Sequence, residues 1–285
     1  MSLIQALFIA ILQGATELFP VSSLGHAVLV PTLLHMNINS HDEIFLPFLV
    51  MLHFGTAFAL LVFFWRDWHA LGRGVLGKDG DRRRQESLYI LYLLVLATLP
   101  AIILGGLAEK WIRSLFSTPD MVSIFLIING FILIFGEKMR RKRYASQKEN
   151  EGIAIAELQP KDALIIGLWQ CAAFFPGISR SGGTIIGGLL RNLSYENAAR
   201  FSFLMALPVI LAASAHQSWK IYKLHIPWEH VEISIIASIV ACIVALISTA
   251  FLMRYFKDHE KWALTPFGFY CIALGVVGYF FLMGM

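Results

Sequence analysis

A single arginine, Arg180, stands in the apolar run of residues 163–190, which contains no other charged residue. A charged group at membrane depth costs at least about 2.5 to 3.5 kcal/mol, so it faces a protein interior or a wet cavity where it has a partner. Its neighbours are glycines and hydroxyls, in the order Pro-Gly-Ile-Ser-Arg-Ser-Gly-Gly-Thr over residues 176–184. Glycines let backbone N–H groups approach an anion closely, and hydroxyls add donors. The segment therefore predicts a phosphate-binding loop, although it lacks the Gly-Lys-Ser/Thr ending of a Walker A loop.

A buried carboxylate is predicted near the N-terminus. Glu17 is the only acidic residue among the first 41, and Gln13 precedes it by four residues, which places both on one face of a helix. In apolar surroundings Glu17 is a candidate for proton transfer, for metal binding or for pairing with Arg180.

Two further groups follow Glu17 at chemically useful spacing. Ser23 is a candidate nucleophile and His26 a candidate base or acid, because serine needs an adjacent base and histidine is the usual one. If the N-terminal segment meets the arginine segment, one polar site would contain Glu17, Ser23, His26, Ser179, Arg180 and Thr184.

The composition indicates that membrane helices position these residues. Of 285 residues, 57% are hydrophobic and 15% are charged, and several uncharged windows approach the roughly 20 residues that cross a bilayer. We predict an all-α integral membrane protein with six transmembrane helices. They cover residues 44–65, 88–108, 121–136, 201–219, 233–253 and 265–284.

The basic residues predict the orientation. Six Lys or Arg lie within residues 66–84 and seven within 138–161, against two within 109–120. Cytoplasmic loops are enriched in Lys and Arg, so the first two segments are predicted inside and both termini outside. The formal net charge of +4 therefore reflects topology and does not indicate a nucleic-acid partner.

This orientation leaves two apolar segments that enter and leave on the same side. Residues 1–43 begin and end outside, and residues 162–190 begin and end inside, so both are predicted to be re-entrant hairpins. Each is broken where a hairpin could turn, at residues 19–26 and 175–183. Such non-helical backbone is tolerated at membrane depth only where protein buries it or it lines a wet cavity.

The two hairpins also resemble each other. Each has a glutamine (Gln13, Gln170), then Phe-Pro, then a turn with serine and glycine, and Pro20 and Pro176 are 156 positions apart. We predict a single membrane domain, residues 1–285, of two inverted repeats, 1–130 and 157–285, joined by a basic cytoplasmic loop, 137–161. Such repeats place a binding site near the midplane, where the broken helices meet.

The two broken segments resemble the signature motifs of the bacterial undecaprenyl-diphosphate phosphatases, the bacitracin-resistance family. Residues 13–26, Gln-Gly-Ala-Thr-Glu-Leu-Phe-Pro-Val-Ser-Ser-Leu-Gly-His, are similar to the first motif, and residues 176–184 to the second. Two positions depart from the family. Leu24 stands where threonine is common, and Leu49 stands where many members carry an acidic residue that could support a metal.

The resemblance implies an enzyme of the bacterial inner membrane. It would hydrolyse undecaprenyl diphosphate to undecaprenyl phosphate and inorganic phosphate, recycling the lipid carrier for cell-wall peptidoglycan synthesis and giving bacitracin resistance. A divalent metal, Mg²⁺ or Ca²⁺, and an active site open to the outer face are implied too. Catalysis is expected from Glu17, Ser23, His26 and Arg180, substrate binding from Ser22, Gly177, Ser179, Ser181 and Thr184, and metal binding from Gln13 and Glu17.

Other interpretations stay open at this stage. Inverted repeats with broken helices are also typical of transporters, here of a lipid phosphate, and a non-catalytic lipid-binding or anchoring protein is a third class. Ser23 could be only a helix cap, and Glu17 only a counter-ion. Among single polar residues of the apolar spans, His53 and His216 are expected to pack or to form hydrogen bonds that support site residues, and Asn129 and Gln170 to form interhelical hydrogen bonds. The oligomeric state, including a homo-oligomer, the lipid chain length, and the choice between serine and water as nucleophile are undetermined.

Overall fold

The protein is helical throughout the part that the structure, a computed structural model, describes: residues 1–36, 45–108, 119–144, 152–223, 228–259 and 262–284. Within these ranges the only extended pairing is an isolated bridge between Ile153 and Leu193. The α-helices are α1 (Leu3–Thr16), α2 (Ser23–Leu33), α3 (Phe45–Phe63), α4 (Trp65–Val75), α5 (Asp81–Leu107), α6 (Pro119–Tyr144), α7 (Pro160–Gln170), α8 (Arg180–Leu190), α9 (Tyr195–Lys223), α10 (Trp228–Asp258) and α11 (Thr265–Met283).

Four helices of the described chain, α5, α6, α10 and α11, are long and apolar enough to cross a membrane. They contain the predicted spans 88–108, 121–136, 233–253 and 265–284 apart from terminal residues, so the prediction of an all-α membrane protein is confirmed. A fifth candidate is the pair α3 and α4, which bends by 67° near Phe64. The predicted span 201–219 lies in α9, where several side chains, including that of His216, are outside the described residues.

The outer surfaces of these helices are apolar and their contacts use small residues. On α11, Phe269, Val277 and Phe280 are exposed, whereas Gly268 and Gly275 are buried against α6. A Cβ atom on Gly275 would lie 2.6 Å from the Ser123 carbonyl oxygen. Large apolar side chains outside and glycines at the helix contact are typical of packing inside a bilayer.

Two short helix pairs, α1 with α2 and α7 with α8, form the broken hairpins. Helix α1 ends at Thr16 and α2 begins at Ser23, while a 3₁₀ turn, Cys171–Phe174, follows α7 before α8 begins at Arg180. The breaks, residues 17–22 and 171–179, overlap the predicted segments 19–26 and 175–183 but begin and end earlier, because Ser22 and Ser179 already cap the next helices. Residues 37–43 of the first predicted hairpin lie outside the described residues.

The first helix of each hairpin packs on a long helix from the other half of the chain. Helix α1 lies against α10, and α7 lies against α5. Glycines make both contacts close, because an added Cβ on Gly14 would lie 2.5 Å from the Ala241 carbonyl oxygen, and one on Gly167 would lie 2.2 Å from that of Ala97. Helix α3 likewise packs on α9, and α6 on α11, so the two halves interlock.

The hairpin tips meet in the interior and are joined by polar contacts. Asn129 of α6 donates to the Pro20 carbonyl oxygen at 3.0 Å and accepts from the Ser179 N–H at 3.0 Å. The Ser181 hydroxyl donates to the Phe19 carbonyl oxygen at 2.9 Å. The prediction that Asn129 forms interhelical hydrogen bonds is confirmed, since it connects α6 to both tips.

A buried carboxylate fastens the other end of α6. Glu137 is fully buried and accepts from the Tyr195 hydroxyl and from the backbone N–H groups of Leu264 and Thr265. It thereby satisfies two donors at the start of α11, the groups that a helix leaves unpaired at its N-terminus. Helix α6 continues to Tyr144, so the first part of the predicted loop 137–161 is helical; residues 145–151 lie outside the described residues.

Candidate active site

A cavity of about 330 Å³ lies where the two hairpin tips meet. Its wall is apolar on several sides, with polar groups concentrated at the tips. The apolar residues are Leu24, Val50, Ala101, Ala173, Phe174, Ile178, Val209 and Ile210, and the polar ones are Glu17, Ser22, Ser23, His53, Gln170, Ser179, Arg180 and Ser214. A site of this kind suits a ligand that has both an apolar chain and a charged head.

Glu17 is the centre of the polar cluster. Its Oε2 atom accepts from the Ser23 hydroxyl at 2.6 Å and from Gln13 Nε2 at 2.9 Å. Its Oε1 atom accepts from Arg180 Nη2 at 3.2 Å. The four-residue spacing of Gln13 and Glu17 thus gives the contact that a helix predicts, and the carboxylate is the counter-ion of Arg180 as well as the acceptor for Ser23.

The guanidinium of Arg180 has an unpaired nitrogen in the described part of the chain. Its side chain is 14% exposed, and Nη1 is buried without a hydrogen-bond partner among the described residues, while Nη2 bonds Glu17. Arg180 is the first residue of α8 and Ser23 the first of α2, so the N-termini of two helices face the cavity. Helix N-termini carry partial positive charge and unpaired N–H groups, which favours an anion here.

The two serines of the first tip have separate functions. Ser22 is the N-cap of α2, and its hydroxyl accepts from the Gly25 N–H at 3.3 Å. Ser179 caps α8 in the same way, accepting from the Gly182 N–H at 3.1 Å. Ser23 is therefore not the cap, and its hydroxyl is available to Glu17.

His26 is directed away from the cavity. Its Nδ1 atom lies 2.7 Å from the Ser22 carbonyl oxygen and Nε2 lies 2.8 Å from the Tyr270 hydroxyl. The ring is 1% exposed and stacks on Tyr270 with centroids 5.6 Å apart. The structure thus does not bring His26 to Ser23.

Three other predicted residues, Thr184, Ser181 and Gly177, do not line the cavity and instead stabilise the hairpin tips. The Thr184 hydroxyl bonds the Ser202 hydroxyl at 2.6 Å and the Arg180 carbonyl oxygen at 3.0 Å. The Ser181 hydroxyl bonds the first tip, and Gly177 adopts φ of 106°, a conformation that favours glycine. Of the six residues predicted to converge, Glu17, Ser23, Ser179 and Arg180 line the cavity.

His53 and Gln170 line the cavity too, although the sequence predicts packing or a supporting hydrogen bond for His53 and an interhelical bond for Gln170. His53 Nε2 lies 3.6 Å from Glu17 Oε2, and its side chain is 31% exposed. The amide of Gln170 has no partner among the described residues, so the predicted interhelical bond is absent there. A polar residue in an apolar span is the sequence signal for both, but it does not specify the direction of the side chain.

The protein groups near the cavity include few metal ligands. Within the described ranges, three or more histidine, cysteine, aspartate or glutamate residues nowhere cluster in a way that could hold a metal ion. Glu17 is the carboxylate of the cavity wall.

Known proteins resemble this chain over nearly its whole length. A relative from Gluconacetobacter diazotrophicus is 57% identical over 282 residues, which cover 99% of this chain and 98% of the relative. Relatives from Granulibacter bethesdensis and Gluconobacter oxydans are 51% and 49% identical, each covering 97% of this chain and 95% and 97% of their own lengths. All three are named undecaprenyl-diphosphatase. The family described as bacitracin resistance protein BacA matches residues 6–277, and the chain belongs to that family.

Proposed function

We propose that this protein hydrolyses undecaprenyl diphosphate to undecaprenyl phosphate and inorganic phosphate. The observation that carries the proposal is the Ser23–Glu17–Arg180 cluster in a largely apolar cavity, with Arg180 Nη1 free for an anion. A lipid diphosphate has the matching parts, since its head needs cationic donors and its isoprenoid chain needs an apolar wall. The names of the relatives support the same substrate. The consequence for the cell would be recycling of the lipid carrier and bacitracin resistance.

Ser23 is the nucleophile in this proposal. Its hydroxyl oxygen attacks the terminal phosphorus, the bond from that phosphorus to the bridging oxygen breaks, and undecaprenyl phosphate leaves. Glu17 takes the hydroxyl proton, which the 2.6 Å hydrogen bond already directs toward Oε2. Water then hydrolyses the phosphoserine and releases phosphate. The bond from Ser23 to Glu17 favours serine over direct attack by water.

Arg180 stabilises the transferring phosphoryl group. Nη1 donates to a phosphoryl oxygen while Nη2 keeps its contact with Glu17, so one guanidinium both binds the anion and holds the base. The N–H groups at the starts of α2 and α8 add donors. Fixed donors directed at developing charge account for much of the rate of phosphoryl transfer.

The remaining predicted residues have positioning roles in this proposal. Ser22, Gly177, Ser179 and Ser181 shape the two tips, and Thr184 holds α8 against α9. His26 fixes α2 through the Ser22 carbonyl and Tyr270, whereas His53 is the histidine placed to interact with Glu17.

A divalent metal, Mg²⁺ or Ca²⁺, stays a prediction. Glu17 and the amide oxygen of Gln13 would supply two of its ligands, and water and phosphate oxygens the others, because Mg²⁺ at phosphate sites commonly uses one or two carboxylates plus phosphate oxygens and water. Gln13 donates Nε2 to Glu17, which leaves its carbonyl oxygen for the ion. When bound, the metal would neutralise phosphate charge.

We also propose the membrane arrangement predicted above: six spans, two re-entrant hairpins, inverted repeats 1–130 and 157–285, both termini outside and a site open to the outer face. The contacts between the halves support the repeat. The first helix of each hairpin packs on a long helix of the other half, α1 on α10 and α7 on α5. An inverted pair of repeats would produce this reciprocal pattern.

The test is phosphate release by purified protein in detergent. Undecaprenyl diphosphate is supplied with and without Mg²⁺ or Ca²⁺, and Ser23→Ala is the matched variant. We expect release by the native protein, at least about 1000-fold less by Ser23→Ala, and a phosphoserine at position 23 on brief exposure to ³²P-labelled substrate. Absence of release under every metal condition would contradict the proposal and favour a carrier. Full activity of Ser23→Ala would contradict only the serine step.

A further inference from the structure

Gln170 has a buried amide that is unpaired in the described part of the chain. The residue ends α7, is 2% exposed, and lines the cavity that Arg180 also lines. Neither Nε2 nor Oε1 has a hydrogen-bond partner among the residues that the structure describes. Buried polar groups in proteins are nearly always paired, and an unpaired one is destabilising, so both atoms need an explanation.

The corresponding glutamine of the other hairpin shows what is different. Gln13 and Gln170 are 157 positions apart, as are the cap residues Ser22 and Ser179. Gln13 donates to Glu17, four residues later. Four residues after Gln170 stands Phe174, which offers no acceptor. The second hairpin thus keeps the amide but has lost the carboxylate that would occupy it.

A second residue of the cavity wall, Arg180, also has an unpaired donor. Arg180 Nη1 is buried without a partner in the described part of the chain, and Arg180 follows the cap of the same hairpin. An anion between the two residues would satisfy Nη1 and the amide Nε2 together. The amide Oε1 needs a donor, which an oxyanion lacks, so the ligand set must include an O–H group.

We propose that Gln170 binds the substrate head group together with Arg180. Nε2 donates to a non-bridging phosphoryl oxygen, and Oε1 accepts from a water molecule or from the hydroxyl of a monoprotonated phosphate. This role rests on the proposed function for the choice of a lipid diphosphate, but the ligand chemistry is that of any phosphate with a bound water or P–OH. Inorganic phosphate, a product of the reaction, is therefore the simplest probe.

Gln170→Met separates a binding role from a structural one. Methionine has a similar volume and removes the unpaired amide. The substitution should therefore keep or increase the stability of the fold, and the melting temperature should stay equal or rise. We also expect the inhibition constant for inorganic phosphate to rise about tenfold, because the substitution removes one good hydrogen bond to phosphate. Gln170→Glu, which turns a carboxylate toward the anion, should weaken phosphate roughly 100-fold or more.

The matched control is Gln159→Met. Gln159 is exposed at the other end of α7 and does not line the cavity. This variant should leave phosphate inhibition and the melting temperature unchanged. An unchanged phosphate constant in Gln170→Met, with native folding, would overturn the proposal.

A binding readout keeps this test independent of turnover. Inorganic phosphate should raise the melting temperature of the native protein in detergent, and raise it less for Gln170→Met. If the native protein releases no phosphate from the lipid yet shows this difference, the proposed function fails and the Gln170 site stands. If turnover is present and both variants respond equally to phosphate, the Gln170 site fails alone.

Discussion

Glu17 combines two demands that usually conflict. It neutralises a buried arginine and at the same time accepts the hydrogen of the serine that we propose as nucleophile. The two carboxylate oxygens divide these tasks, with Oε1 toward Arg180 and Oε2 toward Ser23 and Gln13. Because the tasks use different atoms, substitutions can separate the structural contribution of Glu17 from its chemical one.

Glu17→Gln should lower both stability and activity, whereas the double variant Glu17→Gln/Arg180→Met should recover stability alone. Removing one partner leaves a buried charge uncompensated, which costs about 3 to 5 kcal/mol, and removing both relieves that cost. Unfolding in detergent measures the first quantity and phosphate release the second. Recovery of activity in the double variant would contradict a chemical role for either residue.

Tyr270→Phe tests the position of His26. The substitution removes the hydroxyl that bonds Nε2 and retains the ring that stacks on the imidazole. If His26 positions α2, we expect a loss of about 1 kcal/mol in unfolding free energy and phosphate release within threefold of the native rate. A large change in the pH profile of turnover, with stability unchanged, would instead indicate that His26 transfers a proton.

Helices α1 and α7 are set by close contacts that only glycine permits. Gly14 and Gly167 let their helices touch the backbone of α10 and α5, and each helix then leads directly into a tip of the site. The distance between Glu17 and Arg180 therefore depends on two contacts that lie outside the cavity. In membranes such small residues are the usual means of bringing helices close.

Gly167→Ala should move α7 away from α5, because its Cβ would lie 2.2 Å from the Ala97 carbonyl oxygen. We expect a loss of about 1 to 3 kcal/mol in stability and reduced phosphate release. Gly106→Ala, on α5 itself, is the control, since nothing lies within 4 Å of that position, and it should be neutral or stabilising by roughly 0.5 to 1 kcal/mol. Equal effects of the two substitutions would mean that the close approach is unimportant.

Local patterns predicted the elements better than the directions of side chains. The hairpin breaks, the contact of Gln13 with Glu17 and the apolar spans follow from spacing and composition. The sequence does not show whether Ser22 or Ser23 caps α2, because that assignment requires the backbone φ and ψ angles. His26 bonds Tyr270, which stands 244 residues later, and a single sequence has no signal for so distant a partner.

At the scale of the whole molecule, the basic loops should determine orientation. Six Lys or Arg within residues 66–84 predict a cytoplasmic side, with the N-terminus opposite. In a variant with Cys171, Cys242 and Cys271 replaced by alanine, we expect Ser2→Cys to react with a membrane-impermeant maleimide in intact cells. Lys78→Cys should react only after permeabilisation; the reverse pattern would invert the proposed topology.

The reciprocal packing of the halves also has a consequence in time. The partner of α1 is α10, which begins more than 200 residues after α1 ends. At typical rates of synthesis this is a delay on the order of 10 to 40 s. The N-terminal hairpin must therefore wait in or beside the bilayer without the helix that supports α1 until most of the chain has been made.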